Sequence, residues 1–257
     1  APKGPGHLPP WEEADARILE QCAELIEVKG CRSIKFKAGV YPPEKEVETV
    51  RHMRERFPDV PVRLDPNSSW ALTTAVRVAH ELSDVGLEYL EDPVWGLSAM
   101  AKLKRMSPHV PLASNMACFS YDDIAPTAFL DAVDVVLADP HWYGGLRATK
   151  ELARLCETFG FDMGMHSGTE FGVSLAALLH LAASLPAIHH APDVHYHYLK
   201  DDIIEGGPFR YVDGAISVLK GPGLGVKLDR QKLAYYHETY EKYIAAIAGA
   251  PSMEPIY

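Results

Sequence analysis

Short apolar runs recur along the chain, and each of them ends at or near a polar residue. Seven of these runs have the length of β-strands. They cover 33–37, 60–65, 87–91, 110–115, 133–139, 161–166 and 188–195. Successive ends are 24 to 29 residues apart, which is the spacing of a repeating strand–helix unit.

Between the runs, apolar residues recur at three- and four-residue spacing, as in amphipathic helices. The clearest helical segments are 44–57, 72–85 and 146–159. A buried helix is also expected over 173–188, because this apolar run is interrupted by His180 and Pro186 and is too short to span a bilayer. The alternation predicts a parallel sheet, and its even spacing without a glycine-rich phosphate loop favours a (β/α) barrel over an open doubly wound sheet.

The two ends of the chain depart from this repeat. One helix over 12–28 and no strand are expected before the first run. After the last run, 209–219 has the pattern of a hairpin that turns at Asp213-Gly214, and 230–250 that of a closing helix. We therefore divide the chain into a barrel domain at 1–200, which carries the site, and a C-terminal hairpin and helix at 201–257 that pack back on the barrel or on a capping domain.

Composition narrows the class of protein. The 257 residues fit one barrel of about 250 residues and leave no room for a second full domain. A net charge of −10 and no basic patch argue against nucleic acid and anionic membranes as partners. Four dispersed cysteines without a CxxC pair predict neither a disulfide framework nor a thiolate zinc site, and indicate a reducing cytoplasm. The opening segment 1–6 lacks a signal peptide's apolar core, and its start within a loop suggests a fragment or a processed product.

The carboxyl ends of parallel barrel strands converge on one face, where active sites lie. Seven polar residues stand at the expected strand ends. They are Lys37, Asp65, Glu91, Asn115, Asp139, His166 and His195. Asp65, Glu91 and Asn115 offer three oxygen ligands from consecutive strands, which suits Mg²⁺. The alternative is that each residue only begins a polar loop.

Two further patterns carry candidate chemistry. In Lys35-Phe36-Lys37 the alternation of a strand aims both lysines into the barrel and Phe36 toward the helices. We expect the two ammonium groups and desolvation to lower the lysine pKa values and provide an amine base. Asp139 and His166 end adjacent strands, so the carboxylate is expected to orient the imidazole as an acid or base.

In this order the motifs resemble the barrel of the enolase superfamily, and among its branches the glucarate dehydratases. The motifs are Lys35-Phe-Lys37, Asp65-Pro-Asn67, Glu91-Asp-Pro93, Ala113-Ser-Asn115, Leu137-Ala-Asp-Pro140 and Met165-His-Ser167. The resemblance implies a modified TIM barrel of (β/α)7β type. Its first strand and the N-terminal capping domain have no counterpart in this chain, so we expect them in another chain, in a cleaved segment or in sequence outside these 257 residues.

The resemblance also implies a reaction, the Mg²⁺-assisted removal of an α-proton from an acid sugar through an ene-diolate. Lys37 would be the base on one face, Lys35 would polarise the substrate carboxylate, and His166 with Asp139 would act on the other face. Asp65, Glu91 and Asn115 would hold Mg²⁺. Substrate contacts would come from Lys35, Asn67, Asn115, His166, Ser167 and His195. A homo-oligomer and a small-molecule acid sugar are the implied partners.

The sequence departs from the glucarate dehydratase pattern at two places that bear on the substrate. Ser167 is followed by Gly168-Thr169-Glu170, where these dehydratases continue with Asn. The C-terminal arginine expected to bind the distal carboxylate of the substrate has no evident counterpart. Other hypotheses stay open. They are a racemase or epimerase on the same scaffold, a zinc hydrolase using His195-Tyr-His197, and a truncated barrel that is a non-catalytic module.

Overall fold

The computed structural model describes residues 8–185 and 188–248. The expected opening loop at 1–6, Pro186 and the last two residues of the expected closing helix lie outside the described residues. Six strands are present: β1 Ile34–Lys37, β2 Val62–Asp65, β3 Tyr89–Glu91, β4 Leu112–Ser114, β5 Val135–Ala138 and β6 Asp162–Met165. Eight α-helices are described: α1 Trp11–Ala23, α2 Pro43–Arg56, α3 Leu72–Glu81, α4 Leu97–Met106, α5 Tyr121–Leu130, α6 Leu146–Phe159, α7 Gly172–Ser184 and α8 Arg230–Ala248.

All six strands run parallel in the order β1 to β6, so neighbours in the sheet are also neighbours along the chain. The sheet curls, as a contact between Lys35 on β1 and Asp193 shows. Asp193 comes after both β6 and α7 in the chain. The side chains of Lys35 and Asp193 lie 2.6 Å apart although β1 and β6 are the two ends of the strand order. The predicted repeat of strand and helix is therefore present, and its sheet curls into part of a barrel.

The two faces of the sheet carry different cores. Alternate strand residues such as Phe36, Leu64 and Leu112 point outward and join the large apolar core under the helices. The other set points inward and forms a small separate cluster of Tyr89, Ala113, Val135 and Leu137. This separation of the core by the sheet is the packing of a filled barrel, and it confirms the outward direction expected for Phe36.

The prediction of a seventh strand at 188–195 is wrong. The segment follows the edge of β6 through two backbone bonds, from His189 N to Met163 O at 3.1 Å and from Asp193 N to Met165 O at 2.9 Å, but its backbone is irregular. Pro192 lacks an N–H group, so a continuous ladder cannot form here. A 3₁₀ turn, Tyr196–Tyr198, follows directly.

The predicted hairpin over 209–219 is also reduced to its turn. Val212 and Ala215 exchange both backbone bonds around Asp213-Gly214, where both residues have positive φ, as a two-residue hairpin turn requires. The flanking residues do not continue as strands. Instead the turn lies against the start of the barrel, because Gly214 N donates to Lys29 O at 2.7 Å. This close approach leaves no room for a Cβ at Gly214.

The helical predictions hold with small changes at the ends. The segment 12–28 is α1 followed by a π-helical turn, Glu24–Val28. The segment expected as a helix over 72–85 ends at Glu81, whereas the expected 146–159 matches α6 and closes on Gly160 in the left-handed region. None of the helices within the described ranges is long and apolar enough to cross a membrane.

The part after the barrel packs on α7 and on the barrel end. Asp202 accepts bonds from Gly172 N at the start of α7 and from the hydroxyl of Tyr196. The rings of Phe171 and Tyr236 lie 5.9 Å apart, so α8 also packs at the start of α7. The domain boundary at residue 200 stays a prediction.

Gly164 on β6 faces the barrel interior, where a side chain would have little room. A Cβ placed there would lie 2.7 Å from Leu137 Cδ2 and 3.5 Å from His190 Cβ. We expect Gly164→Ala to lower the free energy of unfolding by about 1–3 kcal/mol, because the inner cluster has no space for a methyl group. Urea unfolding followed by circular dichroism measures the change. Gly168→Ala is the matched control, since nothing lies within 4 Å of its Cβ, and equal losses in both variants would contradict the prediction.

Candidate active site

The first two strands bring a lysine and a carboxylate together at the predicted face. Lys37 and Asp65 are partners in the β1–β2 register, and Lys37 Nζ donates to Asp65 Oδ2. Asp65 is fully buried, and its other oxygen accepts from Asn67 N at 2.9 Å. Burial would raise the pKa of Asp65, but the charges of Lys35 and Lys37 outweigh burial and lower it. Asp65 is thus held as a carboxylate.

Lys35 lies among three carboxylates. Its Nζ is 2.7 Å from Glu91 Oε1, 2.6 Å from Asp193 Oδ2 and 3.0 Å from Asp65 Oδ2, with only 8% of the side chain exposed. Burial alone would lower its pKa, but these three charges raise it well above the usual lysine range. The expected lowering of the lysine pKa values is therefore wrong for Lys35, whose neighbours are acids. Lys35 is a fixed cation suited to holding an anionic substrate group.

Asp193 is a site residue that the sequence analysis missed. The seventh run was expected to contribute His195 at its end, and Asp193 lies two residues earlier. Strand-like alternation would have placed both on the same face, which is the signal that could have found Asp193. The charge of Lys35 keeps the pKa of Asp193 low in spite of burial.

Two buried oxygens at the strand ends have no hydrogen-bond partner. They are Glu91 Oε2 and Asn115 Oδ1, from consecutive strand–helix units. A buried acceptor without a donor is costly, and a hard cation is one way to satisfy it. Glu91 and Asn115, together with Asp65, are the three residues that the sequence analysis expected to bind Mg²⁺, and oxygen donors of this kind suit a hard cation. Among the described residues, no three or more His, Cys, Asp or Glu side chains are grouped so that they could hold a metal ion.

Asp92 fixes the loop that carries Asn115. This buried carboxylate accepts from Ser114 Oγ at 2.5 Å, Asn115 N at 2.8 Å and Met116 N at 3.0 Å. Burial raises the pKa of Asp92, and the three donors oppose that rise. Asp92 directly follows Glu91, so the second candidate ligand and the third are joined through one side chain.

The predicted dyad of Asp139 and His166 is present. His166 Nδ1 lies 3.0 Å from Asp139 Oδ2, and the hydrogen bonds from His166 and His141 lower the pKa of Asp139 against the effect of burial. Because the Asp139 carboxylate accepts a hydrogen bond from Nδ1, it holds the His166 ring in a fixed orientation. His141, which the sequence analysis did not single out, shares Asp139 at 2.7 Å and reaches Ser174 Oγ at 3.0 Å. The feature of the sequence that could have identified His141 is its position two residues after Asp139.

The other predicted site residues, Asn67, Ser167 and His195, lie near these groups. Asn67 Oδ1 accepts from Lys37 Nζ at 3.2 Å, so Asn67 lies beside the expected base. Ser167 is buried, and its hydroxyl donates to Glu170 Oε2 at 2.7 Å. His195 is partly buried, and desolvation together with the charges of Lys37 and Lys35 lowers its pKa. His195 therefore lies near both lysines.

A cavity of about 490 Å³ opens beside the site. Lys35, Lys37, Asp193 and His195 line its polar end. Its walls are mainly apolar and include Leu175, Leu178, Val194 and Ile216. It follows the edge of β1 that has no strand partner within residues 8–185 and 188–248.

Comparison with known proteins agrees with this geometry. The model of the family described as enolase C-terminal domain-like matches residues 17–232. The chain belongs to this family. A probable glucarate dehydratase of Streptomyces coelicolor is 44% identical over 88% of this enolase-like chain and 52% of its own length. Muconate cycloisomerase 1 of Rhodococcus opacus is 28% identical, over 82% of the chain and 57% of its own length.

A solved structure confirms the enolase-like barrel. The crystal structure of an enolase from Thermobispora bispora, complexed with magnesium and formate, has a TM-score of 0.85 and 45% identity, over 88% of this chain and 54% of that chain. The chain thus spans about half the length of the relatives it matches. The predicted superfamily and the predicted α/β barrel class are both confirmed.

The contacts of Asp92 give a direct test of how the enolase-like site is held. We expect Asp92→Ala to lower the free energy of unfolding by about 2–4 kcal/mol, because it leaves three buried or partly buried donors without their acceptor. Thermal and urea unfolding measure the loss. Asp122→Ala, an exposed acid on α5, is the control and should change stability by less than about 0.5 kcal/mol. A loss at Asp92 no larger than that of the control would contradict this role.

Proposed function

We propose that this enolase-like protein is a Mg²⁺-dependent acid-sugar dehydratase of the glucarate dehydratase type. The observation that carries the proposal is the joint presence of Lys37 beside buried Asp65 and of the His166–Asp139 dyad after β6. Proton-transfer groups thus stand at the first and last strands of the sheet, with the candidate ligands on the strands between. The 44% identity to a probable glucarate dehydratase supports the choice of reaction.

The residues divide the work of the proposed reaction. Lys37 Nζ takes the proton from the carbon next to the substrate carboxylate, and an ene-diolate forms. His166 then delivers a proton to the β-hydroxyl, which leaves as water. The resulting enol tautomerises to the keto-deoxy acid. Asp139 holds the imidazole in place for this step. Lys35 keeps its positive charge and binds the anionic end of the substrate.

Asp65, Glu91 and Asn115 would hold Mg²⁺ in the proposed enzyme. When bound, Mg²⁺ supplies positive charge that stabilises the negative charge developing on the carboxylate oxygens. The unpaired buried oxygens of Glu91 and Asn115 support this assignment. Asn67, Ser167 and His195 remain the proposed contacts to the polyol part of the substrate.

The proposal extends to the location and the assembly of the protein. The four cysteines carry free thiols, which supports a cytoplasmic protein. The resemblance alone supports a homo-oligomer and an N-terminal capping segment outside this chain.

Epimerisation is the second candidate, since two opposed groups can exchange one proton without loss of the hydroxyl. The 28% identical muconate cycloisomerase also shows that relatives at this distance carry other activities. Recovered substrate from a reaction in D₂O distinguishes the two functions. Deuterium at the α-carbon without any keto acid favours epimerisation, and keto acid formation favours dehydration.

The catalytic assignment predicts a measurable activity. Full-length protein with Mg²⁺ and a panel of aldonic and aldaric acids should release an α-keto acid, detected as its semicarbazone by absorbance. We expect Lys37→Ala and His166→Asn each to lower the rate by at least about 100-fold, because each removes a proton-transfer group. The exposed Lys102→Ala is the control and should keep wild-type activity. Failure of every acid to react, or full activity in both variants, would sink the assignment.

The metal assignment predicts a binding change that needs no substrate. Asn115→Leu removes one proposed oxygen ligand and should weaken Mg²⁺ binding by at least about tenfold. Isothermal titration calorimetry with MgCl₂ measures the affinity of the full-length protein. Asp122→Asn serves as the control, because it removes a charge from the exposed start of α5. Equal affinity in the wild type and Asn115→Leu would show that Asn115 is not a ligand.

A further inference from the structure

A second polar cluster lies inside the barrel, toward the amino ends of the strands. Glu88, just before β3, accepts from Arg63 Nε at 2.7 Å and Arg63 Nη2 at 2.9 Å, which is a bidentate pair. His190 Nδ1 lies 2.7 Å from Glu88 Oε1, and Ser33 Oγ donates to Glu88 Oε2 at 2.7 Å. The three main members are shielded from solvent, with exposed side-chain fractions of 4%, 15% and 12% for Arg63, Glu88 and His190. We call Arg63, Glu88 and His190 the Glu88 clamp.

The clamp crosses the barrel from the first strands to the irregular segment after α7. Arg63 Nη1 donates to Ala191 O at 2.8 Å, and His190 is the preceding residue. On its other side, the segment makes backbone bonds to β6 at His189 and Asp193. The rings of His189 and His190 also lie 3.5 and 3.7 Å from the Asp162 carboxylate at the start of β6. The side chains of Arg63 and His190 therefore supply the contacts that a regular strand would have made through its backbone.

The same segment carries Asp193 to Lys35. Lys35 and Arg63 are partners in the β1–β2 register, so their side chains leave neighbouring strands next to each other. Lys35 binds Asp193 at 2.6 Å, while Arg63 binds the carbonyl oxygen two residues earlier. The neighbouring side chains of Lys35 and Arg63 thus bind two residues of one segment, Asp193 and Ala191. A shift at Ala191 would move Asp193 with it.

We propose that the Glu88 clamp positions Asp193, and through Asp193 the ammonium group of Lys35, without contacting the substrate. Arg63 and His190 are positioning residues that act from the opposite end of the barrel interior. Tyr89 supports both, because its ring lies 4.9 Å from the Arg63 guanidinium and 5.3 Å from the His190 ring. The clamp therefore sets the geometry at the carboxylate-binding end of the site.

The kinetic test rests on the proposed dehydratase function and uses two variants of one residue in the full-length protein. His190→Leu removes the donor to Glu88, whereas His190→Asn keeps an amide N–H close to the position of Nδ1. We expect His190→Leu to lower kcat by at least about tenfold with KM changed by less than about threefold, because small displacements of positioned groups slow the chemical step. His190→Asn should recover most of kcat. His180→Leu is the matched control, a partly buried histidine whose Nε2 lies 3.2 Å from Leu224 O, and should keep wild-type kcat.

Equal kcat values for His190→Leu and the wild type, or equal losses in the Leu and Asn variants, would overturn the proposal. A crystal structure tests it independently of any activity. The Asp193 carboxylate of His190→Leu should move out of hydrogen-bond range of Lys35 Nζ, and an unchanged contact would overturn the clamp. If the wild-type protein acts on no acid sugar, the proposed function fails, and the crystallographic comparison still decides on the clamp.

Discussion

The ammonium group of Lys35 lies in contact with three buried carboxylates, and much of the site depends on this contact. Asp65, Glu91 and Asp193 come from three separate parts of the chain, and their negative charges would repel one another without a cation between them. Lys35 joins the first three strands to the segment after α7 and so organises the site. Removing water from these groups is costly, and their mutual contacts are what make their burial tolerable.

The two cores explain how such a polar site can exist inside an apolar protein. The large outer core, between the sheet and the helices, supplies most of the apolar burial, while the inner cluster contains only a few side chains. Polar groups can therefore fill much of the barrel interior at both ends. The carboxyl ends of the strands carry the candidate chemistry, and the amino ends carry the Glu88 clamp. The inner cluster separates these two polar layers.

Much of this arrangement could be predicted because it is local. Each of Lys37, Asp65, Glu91 and Asn115 stands at or directly after the end of an apolar strand, and the alternation of strand residues aims them at one face. What could not be predicted depends on curvature. The contact between Lys35 and Asp193 joins residues 158 positions apart, and only the curling of the sheet brings them together. For the same reason the high pKa of Lys35 was not foreseen, since its acidic neighbours come from distant segments. The irregular backbone at Pro192 follows from a missing donor that the apolar pattern did not take into account.

Asp92 reduces the number of independent motions in the candidate metal site. It adjoins Glu91 in the chain and binds the backbone of Asn115, so two of the three candidate oxygen donors are linked through one carboxylate. The third candidate donor, Asp65, is linked to Glu91 through Lys35. These three candidate ligands thus have far fewer degrees of freedom than their separation along the chain suggests. The entropy of ordering them is lost during folding, and little of it is left to be lost when a cation binds.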